Sequence, residues 1–228
     1  MKVKKQRLQL PVRQFDYDGG CLNKKKNKHS GLMPQQVRAL VVGPSNCGKT
    51  NLLLTLLIDK NGLKFKNVYL FSNSMHQPKY NLLDKILNKV DEVSFYRFRN
   101  HFLKPDEVEK NSVVIFDDVM SEKQSPIQDF FAMGRHRSLD CFYLAQTYSR
   151  IPKQIIRDNA NLVVLFKMDD MNLKHAYTDH VVTDMTYGQF RELCGSCWED
   201  PYGFLLIDKE SERNNGRYRQ GFDKYISP

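Results

Sequence analysis

Residues 37–50 read VRALVVGPSNCGKT and join a strand pattern to a glycine-rich motif. The first half is a short, continuously apolar run that contains several β-branched residues, which is typical of a parallel strand buried on both faces. From Lys49 to Asp59 the apolar spacing becomes helical. This stretch therefore predicts a strand, a glycine loop and a helix in succession.

The loop GPSNCGKT, residues 43–50, matches the pattern G-x-x-x-x-G-K-[ST]. Its backbone N–H groups can surround a β-phosphate, and the start of the helix adds a positive dipole end. Lys49 can reach the β- and γ-phosphate oxygens, and Thr50 can offer its hydroxyl to Mg²⁺. A purely structural loop would need the glycines but not the Lys-Thr pair, so we expect a nucleotide. The predicted nucleotide-binding residues are Gly43, Ser45, Asn46, Cys47, Gly48, Lys49 and Thr50.

A second motif, VVIFDD, ends the most strand-like segment of the chain, residues 112–118. A metal bound to triphosphate needs a carboxylate, and a buried parallel strand would hold one rigidly beside the loop. We assign Asp117 to orient Mg²⁺ through its water shell and Asp118 to polarise an attacking water. The alternative is two solvated acids at a strand end.

The same alternation of strands and helices continues along the chain. It predicts an α/β fold with a mainly parallel central sheet flanked by helices on both faces. Further strands are expected at 67–72, 92–98, 112–118, 140–146, 161–167 and 202–208, with helices at 81–90, 126–136, 151–158, 170–178 and 186–194. We divide the chain into a basic arm (1–36), one domain (37–208) and a polar, mobile C-terminal extension (209–228).

Charge is concentrated at the start of the chain. The net charge is +9, and residues 1–38 hold ten Lys/Arg against two Asp. Such an arm could neutralise phosphates on nucleic acid or act as a nuclear address, and a solvated tail is the alternative. No apolar stretch approaches a membrane span or a signal peptide, and five cysteines fit a reducing compartment. We therefore expect an intracellular protein without a membrane partner.

One cluster could in principle bind zinc, because His175, His180, Cys194 and Cys197 follow H-x4-H and C-x2-C spacings. The two histidines are five residues apart and do not share one face of a helix. A surface helix followed by a reduced cysteine pair is therefore favoured over a zinc site.

Gln146 is expected at the end of the strand that follows the acidic one. Its amide could contact both the γ-phosphate and the attacking water, and a polar strand-end residue without such a role is the alternative.

The chain resembles the FtsK/HerA superfamily of ring ATPases, and within it the poxvirus-type genome-packaging ATPases of large DNA viruses, virophages and Maverick/Polinton-like elements. The resemblance covers about residues 37–208. It is carried by GPSNCGKT, VVIFDD, GRHRSLDCFYLAQT, NLVVLFK and PYGFLLID. It implies a P-loop NTPase of the RecA-like/ASCE type that hydrolyses ATP with Mg²⁺. It also implies a hexameric or pentameric ring that threads double-stranded DNA.

Two site assignments come from this resemblance. It implies that Gln146 is the sensor and that an arginine is donated across the subunit boundary. Arg135 is the favoured arginine and Arg137 the next, while Arg150 and Arg157 follow the sensor strand. Lys49, Asp118, Gln146 and Arg135 are thus the predicted catalytic residues. Many superfamily members carry Glu where this chain has Asp118, which affects how the carboxylate reaches its water.

The predicted function is an ATP-driven DNA translocase that packages a viral genome into a capsid. Capsid portal or vertex proteins are the expected partners, and the expected location is a host cytoplasmic virus factory or the nucleus, with transient presence on the virion. Two alternatives remain: a cellular-type FtsK/HerA DNA pump or helicase, and a nucleotide-gated ring assembly protein with little hydrolysis.

Overall fold

Nine strands form one sheet in the computed structural model, which describes residues 28–227. The strands are β1 (Arg38–Val42), β2 (Asn67–Ser72), β3 (Ser94–Phe98), β4 (Ser112–Asp117), β5 (Asp140–Ala145), β6 (Leu162–Phe166), β7 (Phe204–Asp208), β8 (Tyr218–Gln220) and β9 (Lys224–Ile226). The helices are α1 (Lys49–Ile58), α2 (Pro78–Leu87), α3 (Ser125–Met133), α4 (Asp170–His180) and α5 (Tyr187–Cys197). Within the described chain, no helix is both long and apolar enough to cross a bilayer.

The strand order β3-β2-β4-β5-β1-β6-β7-β8-β9 decides where the motifs meet. The first six strands in this order, from β3 through β1 to β6, run parallel to one another. Strands β7, β8 and β9 each pair antiparallel with the strand before them. Strand β5 lies between β1 and β4, with Val42 opposite Ala145 and Asp117 opposite Leu144. The glycine loop, the paired acids and Gln146 therefore lie together at the carboxyl-terminal ends of these parallel strands.

Both faces of the sheet are covered by helices, so the central strands are buried throughout. Helices α1 and α2 pack on one face through residues such as Leu53 and Leu83, while α3, α4 and α5 pack on the other through residues such as Phe130 and Phe190. Burial of each such side chain contributes about 1.5–3 kcal/mol. The predicted fold, a mainly parallel sheet flanked by helices, is confirmed.

The prediction of a mobile C-terminal extension is wrong for residues 209–227. Strands β8 and β9 extend the sheet, and Tyr218 is fully buried. The buried Arg219 donates to Asp208 at 3.0 Å and to the carbonyl of Leu32 at 2.7 Å. These strands were missed because the segment is polar, and its buried arginine is stabilised by partners distant in sequence.

The last residues of the predicted arm pack against the domain. Asp140 accepts hydrogen bonds from Lys28 Nζ at 2.6 Å and from the backbone N–H of Val37 at 2.8 Å, and His29 lies 3.1 Å from the same carboxylate. This contact fixes the chain at the amino-terminal edge of the sheet. Residues 1–27, which carry most of the basic stretches, lie outside the described residues, as does residue 228.

The predicted helix at 151–158 is present only as a short, interrupted segment. Residues Lys153–Arg157 form a kinked turn, in which Gln154 is extended (ψ 132°) and Ile155 adopts a left-handed conformation (φ 73°). The buried Arg157 bonds to Asp179 at 2.6 Å. The apolar residues of this segment have helical spacing in the sequence. The observed backbone nevertheless departs from a helix at Gln154 and Ile155, beside the buried ion pair of Arg157.

The histidines and cysteines weighed as zinc ligands do not assemble into a metal site. Across residues 28–227 no group of three or more His, Cys, Asp or Glu side chains is placed to hold a metal ion. His180 Nε2 instead lies 2.8 Å from the hydroxyl of Tyr148, and Cys194 and Cys197 are buried in the core.

His180 is expected to make stability depend on pH. Burial lowers its pKa from 6.5 to about 3, so the unfolded chain binds this proton well before the folded chain does. The contribution of the neutral His180 to the free energy of unfolding is therefore complete above pH 6.5 and is lost as the pH falls toward 3. At pH 5 the free energy of unfolding is lower by about 2 kcal/mol. The free energy of unfolding, measured with urea, should fall between pH 7 and pH 5 by about 2 kcal/mol less in His180→Gln than in the wild type. The exposed His136→Gln variant is the control, and an unchanged loss in His180→Gln would contradict the prediction.

Candidate active site

A cavity of about 740 Å³ opens at the carboxyl-terminal edge of the parallel strands. This is the edge where open α/β sheets bind ligands, and the size suits a small molecule. Its walls come from the glycine loop, the start of α2 and the segments after β4 and β5. Among the lining residues are Ser45, Asn46, Gly48, Lys49, Thr50, Ser74, Asp117, Asp118, Gln146 and Arg150.

The backbone of the glycine loop has the conformation that an anion cradle requires. Asn46 and Gly48 both have positive φ, 62° and 113°. Gly48 precedes α1 without a side-chain cap, so the first-turn N–H groups of that helix have no partner within it. A Cβ on Gly43 would lie 2.6 Å from Cβ of Phe166 and 2.7 Å from Sγ of Cys47, so only glycine fits there. The helix start can therefore receive phosphate oxygens.

Lys49 lies across the loop. Its Nζ donates to the carbonyls of Gly43 at 2.7 Å and Pro44 at 2.8 Å. The same Nζ lies 3.9 Å from Sγ of Cys47. Burial raises the pKa of the Cys47 thiol, although the Lys49 charge opposes this shift, so the thiol stays neutral. The lysine is thus the cation of this loop, held at its mouth.

Thr50 and Asp117 are linked by a residue that the sequence did not single out. The hydroxyl of the buried Tyr80, on α2, donates to Asp117 Oδ2 and also interacts with the side chain of Thr50. Burial raises the pKa of Tyr80, so this hydroxyl keeps its proton. Thr50 and Asp117 both line the cavity. Their oxygens are the ligand type that Mg²⁺ prefers, and the residues present fit that ion.

Asp117 is nearly buried, at 7 % exposure. Burial raises the pKa of its carboxyl, and the bond from Tyr80 and the charge of Lys49 act in the opposite direction. A divalent cation at this position would stabilise the ionised carboxylate.

Asp118 is held by two side chains that follow β2. Its backbone is left-handed (φ 56°), which turns the residue out of the strand. Ser74 Oγ donates to Asp118 Oδ2 at 2.5 Å, and Asn73 Nδ2 donates to the Asp118 carbonyl at 3.1 Å. The sequence did not indicate these partners, because their role depends on β2 being the neighbour of β4. Once that order is known, polar residues at the end of β2 are natural candidates.

Gln146 immediately follows β5, is exposed, and lines the cavity together with the loop and both acids. The structure thus brings together every site residue expected on this edge. Arg150, which follows in the 3₁₀ turn Tyr148–Arg150, lines the cavity as well.

The other candidate arginines lie elsewhere. Arg135 and Arg137 belong to the turn Gly134–Arg137 just before β5, at the edge of the sheet opposite the cavity. Arg135 is exposed, and Arg137 donates to the carbonyl of Asp106 at 3.1 Å. Arg157 is buried against Asp179. A role for Arg135 at the cavity of the same chain is excluded by this placement, and its role across a subunit boundary stays a prediction.

Comparison with known proteins gives a family match over most of the chain. The model of the family described as Poxvirus A32 protein matches residues 24–186. The DNA packaging protein OPG160 of vaccinia virus (strain Copenhagen) is 27% identical over 147 residues, covering 58% of this chain and 54% of that protein. The monkeypox virus protein of the same name is also 27% identical, covering 58% and 48%. The chain therefore spans about half the length of these curated relatives.

Solved structures share the fold at low sequence identity. The genome packaging NTPase B204 from Sulfolobus turreted icosahedral virus 2, in complex with AMPPCP, matches with a TM-score of 0.55 and 14% identity, covering 83% of this chain and 98% of that one. Its complex with AMP matches with a TM-score of 0.53 and 15% identity, covering 78% and 95%. These likenesses establish the P-loop NTPase fold.

Proposed function

The chain belongs to the family of the poxvirus A32 protein, and from this premise we propose that it is an ATP-driven double-stranded DNA translocase that packages a viral genome into a capsid. The observation that carries the proposal is the convergence of the glycine loop, the acids at the end of β4 and Gln146 after β5 on one cavity. The relatives named as DNA packaging proteins support the choice of DNA as substrate.

ATP hydrolysis follows from the roles that these side chains can take. The loop amides and Lys49 bind the phosphates, and Thr50 and Asp117 would hold Mg²⁺, which would supply positive charge beside the phosphates. Asp118 accepts a proton from the attacking water, and Gln146 orients that water. Ser74 holds the Asp118 carboxylate in place through a hydrogen bond.

A homo-oligomeric ring, hexameric or pentameric, is part of the proposal. Arg135 is exposed and leaves the sheet at the edge opposite its own cavity, so it is free to reach a neighbouring copy. There it stabilises the charge that develops on the γ-phosphate, an effect worth about 10³ to 10⁵ in rate in well-studied NTPases.

The remaining partners follow from packaging. Capsid portal or vertex proteins receive the motor. The lysines and arginines of the arm, apart from Lys28, which is paired with Asp140, contact DNA. The work takes place in the host virus factory or the nucleus. A nucleotide-gated assembly protein is the second candidate, since the same loop would bind ATP without turnover.

DNA-stimulated hydrolysis tests the proposed function. We expect the purified full chain to hydrolyse ATP with Mg²⁺, and double-stranded DNA to raise the rate several-fold, as measured by phosphate release. Tight ATP binding with negligible hydrolysis in the presence of DNA would instead indicate the assembly protein. DNA translocation that needs no capsid protein would favour a cellular-type pump.

A further inference from the structure

Tyr202 stands beside the glycine loop and is not among the residues that line the cavity. A Cβ placed on Gly48 would lie 3.5 Å from both Cβ and Cδ1 of Tyr202. The tyrosine is 67% exposed, so its ring is not part of the core. An exposed aromatic ring in contact with the loop is available to a ligand seated on that loop.

The turn that carries Tyr202 is fixed. Its φ is 65°, a left-handed conformation that costs free energy for a residue with a large side chain. The next residue, Gly203, donates its N–H to the carbonyl of Asp200 at 2.9 Å, and a Cβ on it would lie 2.3 Å from the carbonyl of Cys197. Trp198 Nε1 donates to the carbonyl of Leu165 at 2.9 Å and ties this region to β6. Strain of this kind, in an exposed residue beside a binding loop, points to function.

The direction of the nucleotide follows from the strand order. The groups suited to the terminal phosphate, Asp117, Asp118 and Gln146, all lie on the β5 side of β1. A nucleotide whose terminal phosphate faces them must extend its nucleoside toward the opposite side, where β6 and β7 lie. Tyr202 comes just before β7 and is absent from the cavity walls on the β5 side.

We propose that Tyr202 is the platform on which the purine base of the bound nucleotide stacks. The inference rests on the proposed nucleotide binding and adds the subsite for the base. Aromatic side chains stack on the π-face of a base, and the wider purine ring covers more of the tyrosine than a pyrimidine does. The turn between α5 and β7 thereby becomes part of the nucleotide site, although it contributes nothing to the cavity.

Binding measurements on the full chain separate the base from the phosphates. We expect Tyr202→Ala to weaken ATP binding by about 5- to 150-fold, the range for losing one base–aromatic stack, as measured by calorimetry. Binding of inorganic triphosphate, which has no base, should be unchanged, and Tyr202→Phe should bind both ligands like the wild type. Tyr225→Ala is the matched control, because Tyr225 is similarly exposed and lies on β9, at the far edge of the sheet.

Three results would overturn the inference. If Tyr202→Ala binds ATP as tightly as the wild type, the base does not stack on Tyr202. If the variant loses the same affinity for ATP and for inorganic triphosphate, Tyr202 supports the conformation of the loop instead. Failure of the wild-type chain to bind either ligand overturns nucleotide binding itself. Should Tyr202→Ala fold poorly, Tyr202→Gly provides the same measurement, since glycine adopts positive φ without strain.

Discussion

Replacing Lys49 with alanine is expected to lower kcat for ATP hydrolysis by about 10²- to 10³-fold. Lys49 is the cation of the loop, and its Nζ already bridges the carbonyls of Gly43 and Pro44 at the mouth of the cradle. Without Lys49, the loop has no ammonium group to stabilise the negative charge that develops on the transferred phosphate. Phosphate release under saturating ATP and Mg²⁺ measures the effect, and circular dichroism checks that the variant folds.

The matched control is Lys60→Ala, which removes an exposed lysine just beyond the other end of α1. This variant should hydrolyse ATP like the wild type. Undiminished turnover by Lys49→Ala would contradict both the ATPase assignment and the phosphate cradle.

Mixing variants tests the proposed arginine in trans. Subunits carrying Lys49→Ala have an inactive loop and an intact Arg135, whereas Arg135→Ala subunits have the reverse. A shared site predicts that the mixture recovers part of the turnover that each variant lacks alone. If Arg135→Ala alone hydrolyses ATP normally, that arginine has no part in the mechanism.

Asp118→Asn is expected to lower kcat by about 10²- to 10⁴-fold while leaving ATP affinity nearly unchanged. The amide preserves the size of the side chain and can still interact with Ser74, but it cannot accept the proton of the attacking water. Asp118→Glu should keep measurable activity, since a longer carboxylate can still accept the proton. Single-turnover hydrolysis and equilibrium binding together separate the chemical step from affinity.

Asp129→Asn is the control for this prediction, because Asp129 is an exposed acid on α3 away from the cavity walls. If Asp118→Asn weakens ATP binding as much as it slows hydrolysis, the carboxylate belongs to binding rather than to proton transfer.

Much of the site could be predicted because its residues belong to local patterns. The strand of residues 67–72 was predicted with the bounds observed, since all six side chains are buried and the pattern is continuous. The loop, Asp117 and Gln146 each lie at the end of such a strand. Their convergence requires β5 to lie between β1 and β4, and strand order is set by tertiary packing that no local pattern encodes.

The parts that escaped prediction depend on distant partners. Tyr80 reads as one aromatic residue of an amphipathic helix, yet its hydroxyl reaches Asp117 across 37 residues of chain. Strand β8 carries a buried arginine whose partners include Leu32 and Asp208. Composition correctly describes such segments as polar, but burial is decided by complementary groups elsewhere in the fold.

The hydrogen bond from Tyr80 to Asp117 links α2 directly to the pair of acids Asp117 and Asp118. The same helix is tied to the edge strand of the sheet, because Arg97 on β3 donates hydrogen bonds to Asn81 and Asp84 of α2. A displacement of α2 would therefore alter the hydrogen bond between Tyr80 and Asp117. Leu82, 52% exposed on α2, is therefore a suitable position for a fluorescent label that reports the state of these acids without touching them.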